Sequence, residues 1–439
     1  MTTNSATHAD PSLNDRQTAY ADLLVRIGLN VQPGQRVRVR AELGHRAFAQ
    51  MVARAAYRAG AAYVHMEWID PVLDLIRLED GPAEGLGVAP AYEIARHQEM
   101  LDDNWAVLSL VGTEFPNLFD HVDPERMRQM QVARSQALRM WGEAVSNSRV
   151  AWCVAGVPNP AWAAKVLPHL DPESALRQLW ETVLTVCRLD EADPVAAWTA
   201  HETVLNRVID ALHREKVRSV RFFDPAPGPD GLPSTDLTVG LTDDPAWVGA
   251  SSVSPLGVSF LPNIPTEEVF STPHNQRTNG WVRVSKPAFP MDREVTGMWV
   301  RFQDGEVVDF AAQSGQEGLD SFFQIPGARR LGEVALVDVR SPINRSKLLF
   351  YNILFDENAV CHIAFGRAYA AGVAGGEQMS SEDLAALGVN DSPVHMDVMI
   401  GTDTMRVTGL GADGREVVIM QDGQFVPAFL AAPGSTDEI

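Results

Sequence analysis

Carboxylate and imidazole side chains of the kinds that bind divalent metals recur in the C-terminal part of the chain: Glu267, Glu333, His362, His395 and Asp397. Oxygen and nitrogen donors suit zinc, cobalt and manganese, and a carboxylate can bridge two such cations. Two cations held in this way activate water as a nucleophile. These residue types therefore indicate metal-assisted hydrolysis.

Strand geometry supports part of this set. His395 and Asp397 stand two positions apart in SPVHMDVMIG, so on a strand both side chains point to the same face. Glu333 lies in the apolar run LGEVALVDV, where an ionised carboxylate is costly unless a cation or a donor compensates it. A bound metal is one compensation. The alternative is an arginine partner, for which Arg329, Arg330 and Arg340 are near enough in sequence.

Other members of the set have simpler explanations when each is taken alone. Glu267 and Glu268 in NIPTEEVFSTPH could be acidic residues at the start of a helix, where the helix dipole favours them. His362 could be a core histidine, since its neighbours in AVCHIAFG are mostly apolar. The adjacent Cys361 is expected to be a small buried hydrophobe, because neighbouring strand residues face opposite ways.

Common catalytic motifs of other enzyme classes are missing from the sequence. His201 and Glu202 begin an HExx pattern, but Leu205 stands where a zincin helix requires its second histidine. There is no Walker loop, no GxGxxG and no GxSxG. The simplest nucleotide-binding and serine-hydrolase hypotheses are thereby excluded.

Composition narrows the classes of partner. The 439 residues include 36 Lys and Arg against 57 Asp and Glu, a net charge of -21, which disfavours nucleic acid and anionic membrane surfaces as partners. No apolar run is long enough to span a bilayer, and the polar N-terminus lacks the features of a signal peptide. Three cysteines without CxxC spacing fit a reducing compartment. We expect a cytoplasmic protein.

Periodicity predicts an α/β fold. Strands are expected at 36–40, 63–68, 105–111 and 150–155, and helices at 47–57, 124–144, 172–187 and 196–214. The order predicts a mainly parallel sheet in the N-terminal domain. The Asp-Gly pairs at 304–305, 413–414 and 422–423 favour tight hairpins, so the C-terminal domain should be strand-rich and of the α+β kind.

Domain boundaries are expected where composition changes. The Pro-rich and Gly-rich segment 224–233 is the best candidate linker. We expect a disordered tail over 1–15, an N-terminal α/β domain over 16–230 and a C-terminal metal-binding domain over 231–430. The polar end over 433–439 should also be disordered.

Four segments of the C-terminal half resemble the motifs of the aminopeptidase T / aminopeptidase S family of two-metal peptidases: NIPTEEVFSTPH, GARRLGEVALVD, LFDENAVCHIAFGRAY and NDSPVHMDVMIG. The opening YADLLVRIGLNVQPGQ and the stretch AAYRAGAAYV resemble the same family's N-terminal domain. The resemblance runs over about 20–427. Departures are Ile353, where a threonine is expected, and the N-terminal extension.

The resemblance implies an exopeptidase that releases N-terminal residues from peptides. It implies two divalent cations (zinc, cobalt, manganese or magnesium) bound by Glu267, Glu333, His362, His395 and Asp397. Glu333 would bridge the cations or act as a base, Glu268 is a second candidate for the base, and the Tyr369 hydroxyl would stabilise the oxyanion. The family also implies a homodimer that encloses the substrate cavity.

Two other functions stay open at this point. One is an iron-dependent ring-cleaving dioxygenase on the same fold, which oxygen uptake would reveal. The other is a catalytically silent peptide-binding protein with structural metals. Metal-dependent hydrolysis of an aminoacyl amide would separate both from an aminopeptidase.

Overall fold

The computed structural model describes residues 12–119 and 121–431. The chain divides into two compact units, Met1–Thr199 with Ser251–Ile264 (unit 1) and Ala200–Ala250 with Pro265–Ile439 (unit 2). Within the described ranges, no helix has both the length and the apolar character needed to cross a bilayer.

Unit 1 alternates strands and helices. Its elements are α1 (Leu13–Leu23), a π-helical segment (Leu24–Gly28), β1 (Arg36–Glu42), a 3-10 turn (Leu43–His45), α2 (Arg46–Arg58), β2 (Tyr63–Ile69), α3 (Pro71–Asp80), α4 (Ala83–Leu86), α5 (Ala91–Asp102), β3 (Ala106–Val111), α6 (Pro124–Ala137), α7 (Arg139–Ser146), β4 (Trp152–Gly156), α8 (Pro160–Val166), α9 (Pro172–Val186), β8 (Ser252–Val253), β9 (Ser259–Phe260) and β10 (Asn263–Ile264).

A five-stranded parallel sheet in the order β10-β4-β3-β1-β2 forms the centre of unit 1. Strand β1 shows why the sequence folds this way. Val37, Val39 and Ala41 alternate with charged residues and are fully buried, because side chains on a strand point alternately to its two faces. The predicted parallel α/β architecture is confirmed.

Unit 2 is rich in strands. Its elements after helix α10 (Pro194–Arg214) are β5 (Val217–Pro227), β6 (Pro233–Leu241), β7 (Val248–Gly249), β11 (Glu268–Ser271), β12 (Pro273–Arg283), a 3-10 turn (Pro290–Asp292), β13 (Trp299–Gln303), β14 (Glu306–Ala311), α11 (Gln316–Phe322), β15 (Leu331–Val337), α12 (Pro342–Arg345), α13 (Ile353–Asp356), 3-10 turns (Glu357–Ala359, Ala370–Gly372 and Gly376–Gln378), β16 (His362–Gly366), α14 (Ser381–Ala386), β17 (His395–Met399), β18 (Arg406–Gly411), β19 (Glu416–Gln421), β20 (Gln424–Phe425) and α15 (Pro427–Leu430).

Two antiparallel sheets organise unit 2, one of eight strands in the order β14-β13-β12-β6-β5-β18-β19-β20 and one of five in the order β17-β16-β15-β11-β7. The predicted Asp-Gly hairpins connect β13 to β14, β18 to β19 and β19 to β20. At Asp304 and Gly305 both residues have positive φ, 49° and 79°, as a tight two-residue hairpin requires. The predicted strand-rich α+β character is confirmed.

The expected segment limits can be compared with these elements. Residues 1–11 and 432–439 lie outside the described residues. They include most of the expected tail over 1–15 and all of the expected disordered end over 433–439. Helix α1 begins at Leu13 with a capping box from Ser12, so the last residues of the expected 1–15 tail are helical. The expected linker at 224–233 lies within the β5–β6 hairpin of unit 2, while the units change at Thr199–Ala200.

Candidate metal centre

The register of the five-stranded antiparallel sheet of unit 2 brings residues from four strands to one face. In antiparallel pairs, directly opposite residues share a face. Ala364 on β16 lies opposite both Asp397 on β17 and Glu333 on β15. By the same pairing and the two-residue strand period, this face also carries His362, His395 and Glu268.

The side chains on this face form two groups of potential ligands, with all the ligand atoms of a group within 4.8 Å of one another. The first group is Glu268, Glu333 and His362, and the second is Glu333, His395 and Asp397. Nε2 of His362 lies 3.1 Å from Oε2 of Glu268, and Nε2 of His395 lies 3.2 Å from Oδ1 of Asp397. Glu333 belongs to both groups.

Glu333 directs its two oxygens to different histidines. Its Oε1 lies 3.4 Å from Nε2 of His362, and its Oε2 lies 3.7 Å from Nε2 of His395. The arginine alternative fails. Each arginine considered for it has other partners: Arg329 bonds backbone carbonyls, Arg330 bonds Glu306, and Arg340 bonds Asp338.

Both histidines direct Nε2 towards carboxylates of the site. Nδ1 of His395 lies 2.7 Å from the carbonyl oxygen of Arg367, so an Nδ1–H donates to that oxygen and leaves Nε2 free to bind a cation. His362 directs Nε2 between two carboxylates and is almost completely buried, at 1% exposure. A buried imidazole between two acidic groups is a different environment from that of an apolar core histidine.

Negative charge is concentrated here. Burial, with the charges of Glu268 and Asp397, raises the pKa of Glu333. Burial lowers the pKa of His395, but the charge and hydrogen bond of Asp397, the charge of Glu333 and the hydrogen bond to the Arg367 carbonyl together outweigh burial and bring that pKa to about 9. Burial also lowers the pKa of His362, but the hydrogen bonds and charges of Glu268 and Glu333 together raise it well above its usual range. A divalent cation would relieve this crowding of carboxylates, so the donor set fits the metals that the sequence implied.

A further carboxylate, Glu357, joins the site without having been singled out in the sequence. Burial and the charges of Asp397 and Glu268 raise its pKa well above the usual range. Its Oε1 lies 3.4 Å from Nδ2 of Asn358. The available signal was its place in FDEN, shortly before His362 in one of the quoted motifs.

Glu267 has other neighbours than Glu268. Its Oε2 lies 3.5 Å from Nε2 of His201, which itself lies 2.8 Å from the carbonyl oxygen of Thr266. The Glu267 backbone N–H donates to Oδ1 of Asn358 at 2.7 Å. Glu267 belongs to neither of the two groups found among the described residues, whereas the adjacent Glu268 belongs to the first group.

Two residues beside the site, Tyr369 and Cys361, have raised pKa values. The ring of Tyr369 lies 4.9 Å from that of His395, and burial together with the charges of Glu333 and Asp397 raises the pKa of its hydroxyl. The phenol therefore stays protonated and can donate. Cys361 is a buried thiol, as predicted, and burial raises its pKa to about 11.

Several known proteins similar to this chain are named as aminopeptidases. The family model described as "Thermophilic metalloprotease (M29)" matches residues 13–425. Aminopeptidase 2 of Geobacillus stearothermophilus is 40% identical over 407 residues, which cover 92% of this chain and 96% of that protein. Aminopeptidase T of Thermus aquaticus is 37% identical, with coverage of 92% and 97%.

A solved structure is also similar to this chain. Wild-type AmpT from Thermus thermophilus matches with a TM-score of 0.86 at 35% identity, covering 94% of this chain and all of that one. The predicted resemblance to aminopeptidase T and aminopeptidase S is confirmed, and with it the expectation of a metal-dependent aminopeptidase. The chain belongs to the thermophilic metalloprotease (M29) family.

Proposed function

We propose that this protein releases N-terminal residues from peptides with the help of two divalent cations bound on the face of the five-stranded sheet. The observation that supports two cations is the position of Glu333, whose oxygens face His362 on one side and His395 on the other. A carboxylate in that position can bridge two cations. Zinc, cobalt, manganese and magnesium all suit these donors.

The ligands are assigned from geometry. Glu268 and His362 would hold one cation, His395 and Asp397 would hold the other, and Glu333 would contribute an oxygen to each. The family resemblance implied Glu267 as a ligand and Glu268 as a possible base. We assign Glu268 as the ligand in place of Glu267, because Glu268 lies on the face that carries the other donors. When bound, the cations lower the pKa of a water and polarise the scissile carbonyl.

The remaining steps fall to side chains beside the ligands. Bound cations would lower the pKa of Glu357 by their positive charge, and this carboxylate would then accept the water proton and return it to the leaving amine, since both Glu333 oxygens face histidines. The protonated Tyr369 hydroxyl donates a hydrogen bond to the tetrahedral oxyanion. A carboxylate of the site would bind the free α-amine of the peptide.

The same proposal covers the location in the cell, the oligomeric state and the alternative functions. We place the enzyme in the cytoplasm, consistent with its three buried cysteines. The resemblance supports a homodimer, which light scattering on the purified protein tests. The dioxygenase and the silent peptide binder are not favoured, because the similar proteins carry aminopeptidase names.

Hydrolysis of aminoacyl chromogenic amides tests the proposal. Purified protein is assayed before and after chelation and again after addition of zinc, cobalt or manganese, with metal counted per chain. The proposal expects about two metals per chain and chelator-reversible release from a free N-terminus. The N-acetylated substrate is the control and should not be cleaved. No hydrolysis with metal fully bound would contradict the proposal.

A further inference from the structure

Asn358 is a completely buried polar residue that connects the two carboxylate segments of the site. Its exposure is 0%, and its Oδ1 accepts the backbone N–H of Glu267 at 2.7 Å. Its Nδ2 donates to the carbonyl oxygen of Leu354 at 3.0 Å and lies 3.4 Å from Oε1 of Glu357. The Asn358 side chain therefore contacts both the segment before β11 and Glu357, which is the residue before Asn358 in the chain.

The position of Asn358 is itself fixed. Its carbonyl oxygen accepts a hydrogen bond from the Ser341 hydroxyl at 2.7 Å. The preceding turn is held by Asp356, whose carboxylate accepts the backbone N–H groups of Phe350 and Asn352 at 2.8 Å and 3.0 Å. An amide held at this many points can act as a rigid support for what it contacts.

The supported segment decides which glutamate faces the other ligands. Thr266 and Glu267 are contacted from a second side by His201, whose Nε2 donates to the Thr266 carbonyl oxygen. Rotation of this segment would turn Glu268 away from His362, because adjacent residues of an extended chain point to opposite sides. Metal ligands that are held by such outer hydrogen bonds bind their cations more tightly.

We propose that Asn358 is a positioning residue of the metal centre, which holds the backbone at Glu267 so that the Glu268 carboxylate meets Glu333 and His362. This inference rests on the proposed two-cation centre. It predicts that loss of the Asn358 acceptor weakens binding of the cation at the Glu268 group, and weakens binding at the His395 and Asp397 group less.

The test is Co²⁺ binding to the chelator-treated full-length protein, followed by calorimetry and by visible absorption, which reports cation coordination. Asn358→Ala is compared with Asn344→Ala, which removes another side-chain amide bonded to a backbone carbonyl in the same unit, at 2.8 Å from Val339. For Asn358→Ala, one of the two binding constants should weaken roughly 10- to 100-fold and the absorption spectrum should change. Asn344→Ala should bind as wild type does.

Asn358→Asp covers the case in which the alanine variant does not fold. Aspartate has the same shape and keeps an acceptor for the Glu267 N–H but loses the donor to the Leu354 carbonyl oxygen, so Co²⁺ binding by this variant should stay within about tenfold of wild type. Unchanged Co²⁺ binding by Asn358→Ala, or an equal loss in Asn344→Ala, would overturn the positioning role. A wild-type protein that binds no Co²⁺ would instead contradict the metal centre on which the inference rests.

Discussion

Glu268 and His362 meet across an intervening strand: Oε2 of the glutamate on β11 lies 3.1 Å from Nε2 of the histidine on β16, with β15 between them. Their meeting depends on two registers, Glu268 opposite Val337 and Ala335 opposite His362. A slip of one residue in β11 would present Glu267 instead, since it would reverse every side chain of that strand.

Substitution of the two adjacent glutamates should therefore have unequal effects. Glu268→Gln should lower the metal content from about two to about one per chain and reduce hydrolysis at least about 100-fold, because a ligand is lost. Glu267→Gln is the matched control and should keep both metals. Metal analysis and turnover of the two purified variants measure this. The reverse order of effects would show that Glu267 is the ligand.

Glu333→Gln should remove metal-dependent turnover, with a loss of about 100-fold or more, while the fold persists. An amide presents only one oxygen and carries no charge, so it cannot bridge two cations as a carboxylate does. Turnover, metal content and far-UV circular dichroism are measured together. Retained activity with full metal content would rule out the shared position of Glu333.

Tyr369→Phe should reduce kcat by about 100- to 1,000-fold, as expected for loss of one oxyanion donor. Metal content should not change, because the hydroxyl is assigned to the substrate and not to the cations. Steady-state kinetics with equal metal loading give the comparison. A variant with wild-type kcat would remove Tyr369 from the mechanism.

Cation binding to the metal-free protein should release protons at pH 7.5. Burial lowers the pKa of His395, but Asp397, Glu333 and the Arg367 carbonyl together outweigh burial and raise that pKa to about 9, so this imidazole is protonated before a cation binds. Affinity should then fall as the pH falls below 9, by about tenfold per pH unit for each proton displaced. Calorimetry in two buffers of different ionisation enthalpy counts the protons. Equal heats in both buffers would contradict this prediction.

His45 in unit 1 should make folding sensitive to acid. Burial lowers its pKa from 6.5 to about 4, so the folded protein disfavours the protonated form. The unfolded chain takes up a proton near pH 6.5, so this stability is complete above 6.5 and decreases as the pH falls towards 4, by about 3 kcal/mol. Urea unfolding of metal-free protein at pH 7.5 and 4.5 measures the change. In His45→Gln, the free energy of unfolding should depend less on pH. An equal loss of stability between pH 7.5 and 4.5 in the variant and in wild type would contradict the prediction.

Several features of the fold follow from the sequence because their causes are local. Val37 and Val39 alternate with arginines, and a strand places alternate residues on opposite faces whatever surrounds it. The Asp304–Gly305 hairpin follows from the positive φ that these two residue types tolerate. The boundary between the units was harder to predict from the sequence, since α10 continues across it without any change in composition.

The candidate site divides in the same way. Spacing alone indicated that His395 and Asp397 share a strand face, because that relationship needs only the two-residue period. The proposal of Glu268 in place of Glu267, and the place of Glu357 beside the proposed site, rest on tertiary structure. Strand register and the packing of a 3-10 turn join residues that are distant in sequence, and local propensities carry no information about such pairs.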